Sequence, residues 1–254
     1  MPSVPVPLTL AGPLAPSLLP ELDDSLKEAT RALSQGGPIL LYDAPDREGE
    51  TDLVYLAEAV TPRAVRQLRQ EAGGLIVVTI PEEVRSSLGL PYMDTLLRSA
   101  GKEHPLLPRL VPERFRYDRR SSFGISVNHR AGFTGIPDLD RALTIRALGE
   151  MVRDRADEPP KVLQDHFAST FLAPGHVPVL YAAAGGVTER RGHTELSSAL
   201  ARMGRLTPSL VLCEMLSDDG RSLPPSESRA YAAARGLPFV EGHRIVEAWS
   251  RWSG

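Results

Sequence analysis

The sequence ILLYDAPDREGETDLVYLA, at positions 39–57, places an acidic loop between two apolar runs. The first run is too short for a helix and follows a Gly-Gly-Pro turn signal, so it predicts a buried strand. Five carboxylates and one arginine lie between the runs, at positions 43–52. A solvated loop is the ordinary explanation of such a cluster. Carboxylates held between two buried segments need a cation, however, and here it is Arg47, a metal ion or both.

Length, charge and cysteine content exclude several classes of protein. The chain has 254 residues, 42% of them hydrophobic, which is enough to bury a substantial core. Its net charge of −3 offers no basic excess for nucleic acid, and no apolar run approaches the roughly 18–20 residues of a membrane span. The single cysteine, Cys213, excludes an intrachain disulfide and a multi-cysteine zinc site, and it favours a reducing, cytoplasmic location.

The first 20 residues differ in composition from the rest of the chain. They are apolar but contain six prolines and no basic start, a pattern that fits neither a helix nor a signal peptide. We therefore expect a proline-rich flexible tail over residues 1–20 and one domain over residues 21–254. Nothing in the sequence of that domain indicates an internal repeat or a linker.

Apolar periodicity predicts interleaved helices and strands along the domain. Strands are predicted at 39–41, 75–80, 122–127, 177–183 and 210–213, and helices at 21–33, 62–72, 93–100, 195–203 and 226–235. A further helix should begin at Asp138 or Asp140 and run through Val152. The rest of 81–120 is predicted to be irregular, and 153–170 to be a surface connection. The interleaving predicts an α+β protein, a single domain with a mixed, twisted β-sheet layered with helices.

Three other segments carry polar groups at the ends of predicted elements. His176 begins a strand behind a Pro-Gly turn, a position where a histidine is more often structural than functional. Residues 185–195 form a glycine-rich loop with Arg190 and Arg191 that leads into a helix, and free N–H groups at a helix start bind phosphate. Glu214 ends a buried strand and is a candidate for acid–base chemistry.

Together these segments predict carboxylates and one histidine around a divalent ion, with a phosphate site beside it. His193 lies in the middle of the glycine-rich loop, where it can ligate a metal ion next to the phosphate. Oxygen ligands with one imidazole favour Mg²⁺ or Mn²⁺ over a structural zinc. Such a centre suits the enolisation of a sugar phosphate, because the ion stabilises negative charge on the enediolate oxygens.

Five motifs occur in the order and spacing of one known family. They are DREGETD at 46–52 after Asp43, AGGLI at 72–76, PGHV at 174–177, RRGHTE at 190–195 and LCEM at 212–215. Over residues 22–249 the chain closely resembles 3,4-dihydroxy-2-butanone-4-phosphate synthase, an enzyme of riboflavin biosynthesis. The segments at 121–130 and 133–145 are similar to the archaeal branch of that family. Any one motif alone is weak evidence, but five in register are strong.

The resemblance implies a reaction and an assembly. The family converts D-ribulose 5-phosphate into 3,4-dihydroxy-2-butanone 4-phosphate and formate, by Mg²⁺-assisted enolisation, dehydration, skeletal rearrangement and deformylation. It is homodimeric with sites near the subunit interface, so we expect a homodimer. The domain is often fused to GTP cyclohydrolase II, whose zinc ligands one cysteine cannot supply, so we expect a monofunctional lyase.

The same resemblance implies roles for individual residues. The implied metal ligands are Glu48 and His193. Proton transfer falls to His176 and Glu214, with Asp43 and Glu50 assisting from the acidic loop. The implied substrate-binding residues are Arg47, Asp52, Thr134, Arg190, Arg191, Gly192, Thr194 and Glu214.

Two other functions stay open at this point. A metal-dependent isomerase or lyase for another pentose phosphate would share the metal and phosphate groups, but a simple isomerase would release no formate. A catalytically inactive phosphate-binding domain should have lost at least one of the groups that hold the metal or move protons. None of them is missing from this sequence.

Overall fold

Seven strands form one sheet that mixes parallel and antiparallel neighbours. The computed structural model describes residues 22–252. The strands are β1 (Ile39–Tyr42), β2 (Thr51–Leu56), β3 (Val77–Ile80), β4 (Phe123–His129), β5 (Phe171–Tyr181), β6 (Leu210–Glu214) and β7 (Phe239–Glu241). Their order across the sheet is β4-β5-β3-β6-β2-β1-β7. The pairs β1–β7 and β3–β5 are parallel, and the other neighbours are antiparallel.

Helices connect most of the strands. They are α1 (Asp24–Ser34), α2 (Pro62–Gln67), α3 (Glu82–Leu88), α4 (Met93–Ser99), α5 (Asp138–Arg155), α6 (Pro160–Thr170), α7 (His193–Met203), α8 (Pro225–Arg235) and α9 (Gly242–Trp252). None of the helices among the described residues has the length and apolar content to cross a membrane.

Strand side chains alternate between two buried clusters, one on each face of the sheet. On β1, Leu40 packs into the cluster that contains residues of α2, α5 and α8. Its neighbours Ile39 and Leu41 pack into the other cluster, with residues of α1, α7 and α9. This follows from the two-residue period of a strand, which points successive side chains to opposite faces. The layers confirm the predicted α+β class, a single domain with helices on a mixed sheet.

The chain between α2 and β3 is directed by its local sequence towards the end of β6, which carries Glu214. Thr61 caps α2 by accepting the Ala64 N–H at 3.2 Å. A wide turn over Leu68–Ala72 continues the helix, and it ends at Gly73, whose φ of +91° is readily adopted by glycine. The chain then passes close to β6, where the Gly74 N–H donates to the Glu214 carbonyl at 3.0 Å.

The structure differs from the sequence predictions in several places. The prediction that 153–170 is a surface connection is wrong, because α5 continues to Arg155 and α6 occupies most of the rest. Only Leu163 of α6 is buried, so its apolar period was too weak to recognise. Helices α3 and α9, the strand β2 and the three-residue strand β7 were not predicted. The prediction that His176 begins a strand is wrong, because β5 starts at Phe171 and contains the Pro-Gly pair. The expected tail at 1–20 lies outside the described residues.

Candidate active site

The loop between β1 and β2 is folded around the buried carboxylate of Asp43. Its Oδ2 accepts the Glu48 N–H at 3.0 Å and Arg47 Nη1 at 3.3 Å, and its Oδ1 accepts the Glu50 N–H at 3.0 Å. The Asp43 N–H in turn donates to the Glu50 carbonyl at 3.2 Å. Gly49, at a φ of +70°, allows the tight turn between them. Asp43 therefore fixes the shape of the acidic loop.

His193 meets this loop from the first turn of α7. Its Nδ1 lies 3.6 Å from Glu48 Oε2, and its Nε2 lies 3.7 Å from Asp52 Oδ1. The same Nε2 is 3.2 Å from the Glu50 carbonyl oxygen. Potential ligand atoms of Asp43, Glu48 and His193 lie within 4.8 Å of one another. The helix start and the acidic loop thus bring oxygen and imidazole groups together.

Glu48 and His193 fit a divalent ion better than Asp43 does. Adjacent ligands about 2.1 Å from one octahedral ion lie about 3 Å apart, so the 3.6 Å separation needs only a small closure. The Asp43 carboxylate already accepts three hydrogen bonds. The buried Asp52 Oδ1 has no hydrogen-bond partner among the described residues. That oxygen is therefore available on the far side of His193.

Charge and burial shift the protonation of these groups. Burial opposes the ionisation of Glu48, but the neighbouring His193 imidazole and the charge of Arg47 lower its pKa to about 2. Burial also opposes protonation of His193, yet the carboxylates of Asp52 and Glu48 raise its pKa to about 9. Burial raises the pKa of Asp52 to about 7 against the attraction of His193, and the charge of Glu214 adds to the rise. The site is therefore rich in negative charge that a cation would compensate.

Asp52 and Glu214 lie opposite each other on neighbouring strands. They are register partners in the antiparallel β2–β6 pair, so their side chains share one face of the sheet. Glu214 Oε2 accepts the Leu75 N–H at 2.7 Å. A Cβ at Gly74 would lie closer than 3.0 Å to Glu214 side-chain and backbone atoms. Only glycine at position 74 therefore leaves room for this carboxylate.

Two arginines lie beside the carboxylates. Arg47 Nη1 contacts Glu48 Oε2 at 2.8 Å, and Arg190 Nη1 contacts Glu195 Oε2 at 2.6 Å. A Cβ at Gly192 would lie closer than 3.0 Å to both guanidinium groups, so a side chain there would push them away. Gly192 also precedes α7, whose first N–H groups carry partial positive charge. This end of α7 can bind an anion.

A cavity of about 220 Å³ brings these groups together. The Phe115–Phe123 segment supplies another part of its wall. One space therefore combines a candidate metal pair, three further carboxylates and a cationic anion-binding corner. Its charged and polar lining includes Glu48, Asp52, Asp118, Arg190, His193, Thr194 and Glu214.

Comparison with known proteins identifies the family. The family model for 3,4-dihydroxy-2-butanone 4-phosphate synthase matches residues 27–248. The synthase of that name from Methanosarcina mazei is 45% identical over 235 residues, which cover 91% of this chain and 94% of the relative. The chain belongs to the 3,4-dihydroxy-2-butanone 4-phosphate synthase family. It is accordingly an enzyme of riboflavin biosynthesis, as the sequence motifs predicted.

Other members of the synthase family agree with this assignment. The Archaeoglobus fulgidus synthase is 42% identical, over 89% of this chain and 94% of its own. A solved synthase structure in a cation-free form superposes with a TM-score of 0.70 at 27% identity, covering 91% of this chain and 99% of the other. Another, in complex with two magnesium ions, gives a TM-score of 0.68 at 28% identity, with coverages of 88% and 95%.

The structure brings most of the predicted site residues together. Six of them line the 220 Å³ cavity, and Arg191 lines a neighbouring one of about 610 Å³. Asp43 and Arg47 lie directly behind Glu48. Glu50 accepts the Ser222 hydroxyl at 2.5 Å. The six cavity residues are Glu48, Asp52, Arg190, His193, Thr194 and Glu214.

His176 and Thr134 do not line that cavity. His176 is exposed on β5, where its N–H donates to Asn128 Oδ1 at 2.8 Å and its ring contacts the Asn128 amide. Thr134 is exposed in the loop before α5, and its N–H donates to Asp140 Oδ2 at 2.9 Å. Their predicted roles therefore remain predictions. Either residue could contact a substrate only if that substrate lies outside the 220 Å³ cavity of its own chain.

Sequence reasoning missed two carboxylates at the site, Asp118 and Glu195. Asp118 contacts both arginines from the irregular segment after residue 111, where no periodic pattern marks a functional position. Glu195 was seen only as a helix start. A carboxylate five residues after Arg190, at a helix N-terminus, was a signal that could have indicated the pair.

Proposed function

We propose that this enzyme converts D-ribulose 5-phosphate into 3,4-dihydroxy-2-butanone 4-phosphate and formate. The observation that carries the proposal is the 220 Å³ cavity, which combines a metal-ligand pair, carboxylate bases and an anion site. A phosphorylated ketose needs all three, because its carbonyl end must be polarised, its C–H protons removed and its phosphate held. Membership of the family supports the same reaction.

Glu48 and His193 would hold the divalent ion, Mg²⁺ or Mn²⁺. Their ligand atoms are 3.6 Å apart, and a carboxylate with an imidazole suits either ion. The related synthase structure with two magnesium ions supports this choice. When bound, the ion would supply Lewis-acid stabilisation of negative charge on the substrate oxygens. Arg47, which contacts Glu48 and Asp43, would keep the ligand oriented.

Glu214 and Asp52 would exchange protons with the substrate and bind its hydroxyl groups. The Leu75 N–H holds one oxygen of Glu214, which leaves the other free to accept a proton. Asp52 lies opposite Glu214 in the sheet, and its buried Oδ1, which has no hydrogen-bond partner among the described residues, can accept a substrate hydroxyl or a proton. Each such group contributes about 10²–10⁴-fold to rate. Asp43 and Glu50 would assist by fixing the loop that carries Glu48.

The proposed steps are enolisation, dehydration, skeletal rearrangement and deformylation. The water lost in dehydration returns in deformylation, so ribulose 5-phosphate equals the product plus formic acid. Enolisation and the later tautomerisations move protons between carbon and oxygen, and dehydration and deformylation need proton transfer at hydroxyl groups, which is why a site with several carboxylates suits the sequence. The phosphate takes no part in the chemistry, and its role is to bind the substrate to the enzyme.

The loop of residues 190–194 would bind that phosphate. Arg190 and Arg191 supply charge, and the Thr194 hydroxyl and the N–H groups of α7 supply hydrogen bonds. Gly192 keeps the space open. The terminal phosphate of the sugar would then lie at the arginine corner and its carbonyl end at Glu48 and His193.

A homodimer would bring His176 and Thr134 to the site of the other subunit. Both are exposed and absent from the lining of their own cavity. Phe133, Ile136 and Leu139, all within five residues of Thr134, are 93%, 51% and 70% exposed, and a group of exposed large apolar side chains is typical of a protein–protein interface. His176 would then move a proton in the partner's reaction. We place the dimer in the cytoplasm.

Formate release from ribulose 5-phosphate tests the reaction. Wild type should release formate in Mg²⁺ and stop when a chelator is added, whereas an isomerase would release none. Glu48→Gln and His193→Ala should abolish release while the circular-dichroism spectrum stays native. Near-normal turnover of either variant would refute the metal site.

Arg190→Ala tests the phosphate site. It should mainly raise KM, and an unchanged KM would place the phosphate elsewhere.

Subunit mixing tests the shared site. Glu48→Gln and His176→Ala are each expected to be inactive alone. Randomly mixed after unfolding and refolding, they should regain about a quarter of wild-type activity, because each mixed dimer contains one intact site. A mixture that stays inactive although its chains dimerise would show that each site uses His176 of its own chain.

A further inference from the structure

One carboxylate oxygen, Oδ2 of Asp118, lies between two guanidinium groups. It accepts a hydrogen bond from Arg47 Nη2 at 3.0 Å and lies 2.9 Å from Arg190 Nε, an ion-pair contact that leaves this N–H without a hydrogen-bond partner among the described residues. All three side chains are largely shielded from solvent. A single anionic oxygen bridging two arginines is also the arrangement that arginine pairs make with a phosphate oxygen.

Each arginine is held in place without Asp118. Arg47 is bound by Asp43 and Glu48 of the acidic loop, and Arg190 is bound by Glu195 of α7. Asp43 and Glu48 lie in a short loop held between β1 and β2, and Glu195 lies in α7, which packs on the sheet. Asp118 instead comes from the irregular segment of residues 112–121, which lies outside the helices and strands and has mostly exposed side chains. It is therefore the ion-pair partner least tied to the sheet.

The contact also separates cavities. Asp118 and Arg190 line the 220 Å³ cavity and two neighbours of about 610 and 490 Å³. A shift of Asp118 away from Arg190 would open the small cavity towards the larger ones. The ion pair therefore lies on the boundary of all three cavities.

We propose that Asp118 is a displaceable counter-ion, which occupies the Arg47–Arg190 pair until the phosphate group of the substrate replaces it. The inference rests on the proposed function in taking Arg190 as the phosphate-binding residue. A phosphate dianion at Arg190 would lie against the charge of Asp118, and like charges at such short range repel strongly. Exchange removes that repulsion and releases the 112–121 segment. An unphosphorylated sugar brings no anion to displace Asp118, so the residue selects for phosphorylated substrates.

Binding of inorganic phosphate to the full chain, measured by calorimetry in Mg²⁺, tests the exchange. Asp118→Asn should bind phosphate about 5- to 20-fold more tightly than wild type, because the competing closed state is weakened. Glu113→Gln is the matched control, since Glu113 is exposed on the same segment and the variant loses the same charge. Its affinity should equal that of wild type. Unchanged or weaker binding by Asp118→Asn, or equal tightening in the control, would overturn the proposal.

Limited trypsin digestion gives an independent measurement. Saturating phosphate should speed cleavage after Arg114, Arg116 or Arg119 in wild type, and Asp118→Asn should be cleaved fast without phosphate. Unchanged or slower cleavage of wild type in phosphate would refute release of the segment. A wild type that passes both tests but releases no formate would refute the proposed function and leave the exchange standing. If wild type releases formate but Asp118→Asn changes neither phosphate affinity nor cleavage rate, the exchange would be refuted and the proposed function would stand.

Discussion

Replacing Glu195 by alanine should lower the free energy of unfolding by about 3–5 kcal/mol, because it breaks a buried ion pair. The side chain is 0% exposed. Its Oε1 accepts the Ala183 N–H at 2.9 Å, and its Oε2 lies 2.6 Å from Arg190 Nη1. Arg190 is 17% exposed and keeps its contact with Asp118, which places the loss near the lower end of that range. Glu195→Gln retains one acceptor and should lose about 1–3 kcal/mol.

Glu195→Ala should weaken substrate binding more than it slows the chemical steps. Arg190 would lose the charged hydrogen bond that aims it from α7, so KM for ribulose 5-phosphate should rise about tenfold or more while kcat changes less. Urea unfolding and steady-state formate release measure the two effects. Glu28→Gln, exposed on α1, is the control and should stay within about 0.5 kcal/mol of wild type. An alanine variant with an unchanged unfolding midpoint and unchanged KM would refute the positioning argument.

Three further results are expected. Gly74→Ala should lower kcat about tenfold or more, because a Cβ there would displace Glu214; unaltered kinetics would contradict that crowding. Burial holds the pKa of His129 below its usual 6.5, so its stabilising contribution is present above that pH and is lost as the pH falls towards the lowered value. His129→Asn should therefore show a smaller drop in urea midpoint from pH 8 to pH 5, and an identical drop would argue against it. Burial raises the pKa of Cys213 to about 12, so a thiol reagent should label it only after unfolding, and prompt native labelling would count against that burial.

Sequence predicted the fold where apolar runs were long or clearly bounded. The strands at β1 and β6 and the helix α7 were expected close to their observed bounds, because each buries several consecutive or helically spaced apolar residues. Helix α6 buries a single leucine, and β7 has three residues. Neither offers enough periodicity to distinguish it from a loop. Composition alone predicted the metal ligands only as residue types, and the family resemblance was needed to name Glu48 and His193, which meet through the packing of α7 against the β1–β2 loop.

The contact between Arg47 and Asp118 marks where such reasoning ends. The two residues are 71 positions apart, and nothing local in the 112–121 segment indicates a partner. The same limit applies to residues close in sequence, as the ten-residue β1–β2 loop shows. Composition makes its five carboxylates interchangeable, yet Asp43 is saturated by three donors, and Glu50 is bonded to Ser222. Free acceptor atoms, which only the folded chain defines, decide which carboxylate can bind an ion or a substrate proton.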